Sequence, residues 1–260
     1  MRHLVARALN FILGYFGLSL VSRRKLVLLY QHDYGSQGYE KYRQLQIFHN
    51  KRKIDQVWAD AETLSVVADY LRKHLDEVLG GICHGTRRGF EQLELSRQLG
   101  CPVIGTEISD TADQFPNTVQ WDFHERKEEW RGRFSFVYSN SLDQAFDPRK
   151  ALATWTEQLR PEGLLFIEHT MAHSAEGASE MDPFGVHPML LPYLLFEWGR
   201  GRYRLADILE RHDDRKQRVW IFVIRRTPED EADTAGPAQR SAATAIQSTH
   251  RAPPAGDTPA

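Results

Sequence analysis

The chain has 260 residues, of which 41% are hydrophobic and 26% charged, as in an ordinary soluble protein with one core. Its formal net charge of −2 excludes a general attraction to nucleic acid or anionic lipid. Two cysteines, Cys83 and Cys101, are too few for a disulfide framework, and no spaced His/Cys cluster predicts a metal site. We therefore expect a cytoplasmic protein with free thiols, no bound metal and no nucleic-acid partner.

Residues 1–76 are predicted to form a helical N-terminal segment. Near its start, apolar residues recur at the spacing of an amphipathic helix, as at Val5, Leu9, Ile12 and Phe16. Residues 1–53 also carry ten Lys or Arg against two acidic residues. The helix either packs on the body of the protein or lies on the inner surface of a membrane, with basic side chains near the lipid headgroups.

Residues 77–226 alternate short β-like runs with helical ones, which is typical of an α/β domain with a parallel sheet. The predicted strands are 77–83, 102–106, 118–121, 134–138, 164–168, 203–209 and 219–225. The predicted helices include 90–99 and 148–159. From residue 227 the chain is rich in Pro, Ala, Ser, Thr and Gly, so 227–260 is predicted to be a disordered tail.

A glycine-rich segment, 80–89, joins the first predicted strand to the following helix. Glycines at such a turn let the backbone pass close to a bound nucleoside. Many strand-to-helix turns also use glycine only for packing, so both interpretations stay open for this segment alone.

Carboxylates follow the next two predicted strands. Glu107 ends the second strand, where it can accept hydrogen bonds from both ribose hydroxyls of a nucleoside. Asp122 follows the third strand, where it can hold the exocyclic amine of adenine with Phe123 against the ring. The alternative for each acidic residue is a turn or helix cap without a ligand.

The segments 136–148 and 159–167, which read FVYSNSLDQAFDP and LRPEGLLFI, resemble the fourth strand and the turn into the fifth strand of class I S-adenosylmethionine-dependent methyltransferases of the type 11/12 kind. The resemblance covers about residues 77–170. It implies a Rossmann-like sheet with helices on both faces, and S-adenosylmethionine as the cofactor. It also implies a set of cofactor-binding residues: Gly81, His84, Gly85, Glu107, Asp122, Phe123, Ser139 and Asn140.

The first loop departs from the family pattern. Gly80 and Gly81 stand where these methyltransferases usually have an acidic residue, and the loop reads CHGTRRG in place of a Gly-x-Gly-x-Gly sequence. Arg87 or Arg88 is a candidate partner for the carboxylate of the cofactor, because a guanidinium group suits that geometry. A solvated loop arginine is the alternative.

Methyl transfer from a sulfonium is a direct displacement that depends on alignment, and a hydroxyl acceptor also needs a base. His169, at the end of the fifth predicted strand, is the candidate base, with His173 as a second candidate. A structural histidine is the alternative for each. The apolar, proline-broken segment 182–193 is expected to form the acceptor pocket, a lid or a dimer face.

Aromatic and basic residues interleave in 39–53, which favours a sugar, a cell-surface glycan intermediate or another small polar molecule as acceptor. No RNA-binding module is recognisable. Two rival functions remain at this stage: an NAD(P)-dependent Rossmann oxidoreductase, and a methyltransferase-like fold retained only for binding. The oligomeric state is not predicted.

Overall fold

The computed structural model describes residues 37–213 and 217–227, together with the strand 27–29 and the single residues Leu9, Leu13 and Tyr34. Apart from Leu9 and Leu13, the predicted amphipathic helix lies outside the described residues. Only Thr227 of the predicted tail is described. Across the described part of the chain, no helix combines the length and apolar content needed to cross a membrane.

The strands of the described residues are Val27–Leu29 (β1), Gly81–His84 (β2), Val103–Glu107 (β3), Thr118–Gln120 (β4), Phe134–Ser139 (β5), Leu159–Thr170 (β6), Phe184–Val186 (β7), Tyr203–His212 (β8) and Arg218–Arg226 (β9). The α-helices are Gly38–Arg52 (α1), Ala61–His74 (α2), Phe90–Leu99 (α3), Pro148–Glu157 (α4) and Leu191–Gly199 (α5).

Seven strands form one sheet in the order β4-β3-β2-β5-β6-β9-β8. Strands β2, β3, β4, β5 and β6 are parallel to one another. Strand β9 runs antiparallel to both of its neighbours, β6 and β8. The direction of strand order reverses between β2 and β5, which opens a crevice beyond the carboxyl ends of these strands. The predicted α/β, Rossmann-like sheet is therefore confirmed.

Helices cover both faces of the sheet because successive residues of a strand point to opposite sides. Val137 faces the core that contains Trp155 of α4. Its neighbours Phe136 and Tyr138 face the other core, which contains Leu64 of α2 and Leu95 of α3. Helix α2 thus packs in the same core as the sheet, although it lies within the predicted N-terminal segment.

Several elements differ from the predicted ones: β2 begins at residue 81 and not at 77, β8 extends to residue 212, and β7 was not predicted. Strand β6 begins at residue 159, five residues before the predicted run 164–168. The additional residues include Glu162, whose φ is +63°, and the register with β5 shifts beside them, between Phe134 and Phe136. The N-terminal zone, predicted to be mostly helical, contains β1, which pairs antiparallel with β7. This pairing brings the start of the described chain beside the segment that follows β6.

Candidate functional site

Two adjoining cavities lie at the carboxyl ends of the central strands. The first, here the α1 cavity, lies between helix α1 and the ends of β3 and β4; the second, here the loop cavity, lies between the 85–89 loop and the chain after β5. Including space open to solvent, they measure about 540 and 750 Å³. Lining residues common to both include Lys53, Gly85, Arg87 and Gln144.

Gly85 forms the turn between the two cavities. Its φ of +73° lies in the left-handed region, and a Cβ added there would lie 2.7 Å from the side chain of Ser141. The Ser141 hydroxyl donates to the Gly85 carbonyl at 3.2 Å, which ties the turn to the chain after β5. Only glycine fits this close approach. Gly85 lines both cavities, and its contact with a cofactor stays a prediction.

Glu107 ends β3 and lines the α1 cavity with a buried carboxylate. Its Oε2 accepts the backbone N–H of Arg87 at 3.0 Å, and its Oε1 accepts that of Ser109 at 3.1 Å. Burial raises the pKa of Glu107, while these backbone donors favour the charged form. The two hydrogen bonds fix the carboxylate and leave each oxygen a further acceptor position.

Asp122 and Phe123 line the same cavity beyond β4. Oδ1 of Asp122 accepts both the backbone N–H of His124, at 3.0 Å, and its Nδ1, at 2.8 Å. Oδ2 accepts the hydroxyl of Tyr39 from α1. Tyr42 of the same helix lines the cavity and donates to the Gln144 carbonyl at 2.9 Å, so α1 covers this side of the site.

The loop cavity contains buried polar groups that lack partners. Asn140, after β5, donates from Nδ2 to Oε1 of Glu91 at 3.5 Å. Oε2 of Glu91 and the hydroxyl of Thr86 have no hydrogen-bond partner, although both side chains are buried and line the cavity. No sequence pattern pointed to Glu91, because an acidic residue in the first turn of a helix is ordinary.

Arg87 and Arg88 also line the loop cavity. The guanidinium of Arg87 donates to the Gln56 carbonyl at 3.0 Å, and that of Arg88 to the Asp55 carbonyl at 3.2 Å. Both arginines therefore join the loop to the segment between α1 and α2. Their predicted contact with a cofactor carboxylate stays a prediction.

Three predicted cofactor-binding residues do not line either cavity: Gly81, His84 and Ser139. A Cβ at Gly81 would lie 2.2 Å from the Phe136 ring, so this glycine serves packing within the sheet. The hydroxyl of Ser139 donates to the His84 carbonyl at 3.1 Å and accepts the backbone N–H of Ser141 at 3.1 Å. Ser139 thus holds the turn that positions Asn140.

The His84 side chain faces the α4 side of the sheet. Its Nδ1 lies 2.8 Å from the Thr106 hydroxyl and its Nε2 2.8 Å from Oε1 of Gln158, and its ring stacks on Trp155. Burial lowers the pKa of His84 to about 3, so the ring is neutral. These contacts make it a hydrogen-bonded core histidine.

His169, the predicted base, is also outside both cavities. Its Nε2 donates to the Val186 carbonyl at 2.9 Å, and burial lowers its pKa to about 3. His173 does line the loop cavity, with Nδ1 accepting the backbone N–H of Thr170 at 3.2 Å. The neutral ring therefore presents its Nε2–H to Asp143, whose Oδ2 lies 3.8 Å away.

The wall of the loop cavity opposite the glycine turn is formed in part by Trp58, Asp143, His173 and Asp182. Burial raises the pKa of Asp143 to about 7, and burial together with the charge of Asp143 does the same for Asp182. Asp182 belongs to the segment predicted to shape the acceptor pocket. Across the described residues, no three His, Cys, Asp or Glu side chains are grouped so as to hold a metal ion.

No protein-family model matches the chain, and no curated protein matches its sequence. Solved structures do match. One is the Burkholderia thailandensis 1,6-didemethyltoxoflavin-N1-methyltransferase with 1,6-didemethyltoxoflavin and S-adenosylhomocysteine bound; it is 16% identical, with a TM-score of 0.54, and the match covers 81% of this chain and 93% of that one.

A second match is to the complex between the Haloferax volcanii Trm112 methyltransferase activator and the putative methyltransferase. The identity is 15% and the TM-score 0.53, and the match covers 72% of this chain and 98% of the other. Together with the strand order and the antiparallel β9, these matches show that the chain has the fold of the class I methyltransferases.

Proposed function

We propose that the protein binds S-adenosylmethionine in the two cavities and transfers its methyl group to a small polar acceptor. The observation that carries this proposal is the pair of carboxylates, Glu107 and Asp122, at the ends of adjacent strands and facing the α1 cavity beside the Gly85 turn. A nucleoside offers matching donors, namely two ribose hydroxyls and, in adenine, an exocyclic amine.

The acceptor positions of these carboxylates fit that ligand. Each oxygen of Glu107 already accepts one backbone N–H and keeps one position, which suits two neighbouring hydroxyls. Oδ2 of Asp122 accepts the Tyr39 hydroxyl and keeps a position for an amine. Phe123 and Tyr42 supply aromatic walls for the base.

The Gly85 turn would hold the middle of the cofactor, and the loop cavity its amino-acid end. The unpaired Thr86 hydroxyl and the side chain of Asn140 offer hydrogen-bonding groups there. When bound, the sulfonium supplies an electrophilic methyl group. The task of the chain's own residues is to hold the cofactor and the acceptor in line, because displacement requires no covalent intermediate with the protein.

The acceptor is proposed to lie against Trp58, His173, Asp143 and Asp182. Asp143, with a pKa raised to about 7, is suited to take a proton from an acceptor near neutral pH. It replaces His169 in the proposed role of base, since the Nε2 of His169 is bonded to a backbone carbonyl outside the cavity. A sugar or glycan hydroxyl remains the proposed acceptor class, with other small polar molecules as alternatives.

The nicotinamide-dependent alternative is less well supported. Dinucleotide-binding folds have the strand order 3-2-1-4-5-6 in a mostly parallel sheet. Here β9, the last strand of the sheet along the chain, lies between β6 and β8 and runs antiparallel to both. The binding-only alternative differs from catalysis in turnover alone, so it needs a separate measurement.

Titration calorimetry with S-adenosylmethionine, S-adenosylhomocysteine and NADH tests the proposal. We expect the two sulfur nucleosides to bind and NADH not to bind. Glu107→Gln should weaken S-adenosylhomocysteine binding at least tenfold, because it replaces a charged acceptor. Glu157→Gln, in a surface ion pair with Arg126, is the matched control and should bind normally.

Failure of the wild-type protein to bind either sulfur nucleoside would contradict the proposal, and binding of NADH in their place would favour the oxidoreductase. Turnover is measured by transfer of a labelled methyl group to panels of sugars, amines and hydroxy acids. Tight binding without transfer to any panel member would favour the binding-only alternative.

A further inference from the structure

The loop cavity contains a buried carboxyl group with one unpaired oxygen. Glu91 is the second residue of α3, and only 5% of its surface is exposed. An acidic residue in the first turn of a helix normally faces solvent, where it is well hydrated. Burying this one costs free energy unless a partner is present.

The partners of Glu91 are few. Oε1 is 3.5 Å from the Asn140 amide, and Oε2 has no hydrogen-bond partner. The guanidinium of the nearby Arg87 donates to the Gln56 carbonyl and forms no ion pair with Glu91, although its charge favours the ionised carboxylate. The environment therefore holds an open place for a hydrogen-bond donor, preferably one that is positively charged.

The acid that the family resemblance leads one to expect on the first strand cannot stand in its usual place. Gly81 occupies that neighbourhood, and any side chain there would overlap the Phe136 ring. Glu91 reaches the same cavity from the adjoining helix, on the Asn140 side of the Gly85 turn. The carboxylate is thus supplied by a different element.

We propose that Glu91 binds the ammonium group at the amino-acid end of the cofactor. This inference rests on the proposed function, since it assigns a residue to one end of the same ligand. An ammonium group provides up to three donors and a full positive charge, which satisfies Oε2 and offsets the burial of the carboxylate.

Proton linkage gives an independent signature. Burial raises the pKa of Glu91 to about 7. Groups that interact electrostatically with it come from the loop and from four strands: Arg87, Cys83, Glu107, Tyr138 and Glu168. Because a bound cation favours the ionised carboxylate, ligand binding at pH 7 should release about half a proton from Glu91.

The test compares two ligands by calorimetry on the full chain. S-adenosylhomocysteine carries the ammonium group, and 5′-methylthioadenosine lacks the whole amino-acid end. Glu91→Gln should weaken S-adenosylhomocysteine binding by about 10- to 100-fold and change 5′-methylthioadenosine binding less than twofold. Glu94→Gln is the control, since Glu94 lies on the same helix and pairs with Arg97.

The outcomes separate this inference from the proposed function. If S-adenosylhomocysteine binds Glu91→Gln as tightly as wild type, the role of Glu91 is overturned and the cofactor assignment stands. Equal losses for both ligands would also overturn it, because they indicate a damaged cavity. If wild type binds neither ligand, the proposed function fails as well.

Proton release is measured on wild type and on Glu91→Gln in buffers of different ionisation enthalpy. Asp143 and Asp182 line the same cavity and also have a pKa raised to about 7, so release by wild type alone does not identify the group. Release at pH 7 with S-adenosylhomocysteine that is absent with 5′-methylthioadenosine, and that Glu91→Gln removes, supports the inference, whereas release that Glu91→Gln retains overturns it. Equal release with both ligands overturns it.

Discussion

The hydroxyl of Tyr39 in α1 donates a hydrogen bond to Oδ2 of Asp122 beyond β4. A helix from the N-terminal segment is thereby joined to the carboxylate proposed to recognise adenine. Helix α1, which covers the α1 cavity, is therefore hydrogen-bonded to the same oxygen of Asp122 that is proposed to bind the ligand.

Tyr39→Phe removes this bond and keeps the ring that packs on Phe146. We expect the free energy of unfolding to fall by about 1 kcal/mol and Tm by about 2–4 °C, because one hydrogen bond to a carboxylate is lost. Differential scanning calorimetry measures both. Tyr193→Phe, at a residue with 60% of its surface exposed, should leave Tm unchanged. An undiminished effect of Tyr39→Phe in an Asp122→Ala background, which has no side-chain acceptor, would show that the bond is not its cause.

His84→Ala should destabilise the protein without changing the site. The variant loses two hydrogen-bonded contacts and the stack on Trp155, which predicts a loss of about 2–4 kcal/mol. Urea unfolding measures this loss, and calorimetry at 10 °C compares S-adenosylhomocysteine affinity. If His84→Ala has wild-type stability but binds S-adenosylhomocysteine tenfold more weakly, His84 contacts the ligand after all. His212→Ala, at an exposed position, is the control.

Gly81→Ala should cost about 1–3 kcal/mol because its methyl group would overlap the Phe136 ring. The matched test is a second substitution. In a Phe136→Leu background, where the ring is gone, the same Ala substitution should cost less than half as much. If the cost is unchanged in that background, steric contact with Phe136 is not the reason for glycine at this position.

Glu168 gives a prediction on pH. It accepts the Tyr138 hydroxyl in the core, and burial raises its pKa to about 7. The folded state thus holds a proton that the unfolded state releases near pH 4.5, so this contribution to stability is present below pH 4.5 and is lost as pH rises toward 7. The free energy of unfolding of Glu168→Gln, measured relative to that of wild type, should increase by about 2–3 kcal/mol between pH 5 and pH 8.

Chemical unfolding of both proteins at the two pH values measures this difference, in which the carboxyl groups that do not interact with Glu168 cancel. Glu62→Gln, at a residue whose side chain is 75% exposed, should show no such change. A stability difference between Glu168→Gln and wild type that is equal at both pH values would contradict a raised pKa.

The sheet and the two carboxylates that line the α1 cavity at its edge were predictable from sequence. Strands in this fold are short apolar runs, and Glu107 and Asp122 each follow such a run directly. Since the carboxyl ends of parallel strands meet at one edge of the sheet, a residue that directly follows a strand must lie at that edge. The same rule does not determine the face to which a side chain turns. His84 also ends a strand, yet its ring points to α4.

The remaining parts of the site depend on contacts between distant segments. Asp182 and His173 reach the loop cavity beside Trp58, which lies more than 100 residues earlier in the chain. No local spacing encodes such contacts. Glu91 was missed for a related reason: burial of a residue in the first helical turn depends on what the rest of the chain places against it.

The pairing of β1 with β7 has a consequence for how the molecule is made. Strand β1 cannot find its partner until the ribosome has produced Val186, and Gln46 of α1 likewise bonds to the carbonyl of Met181. The segment that emerges first must therefore dock late, since contacts of long sequence separation form slowly. Until then, a nascent chain lacks the cover that α1 forms over the α1 cavity, although strands β2 to β5 beside that cavity have already been synthesised.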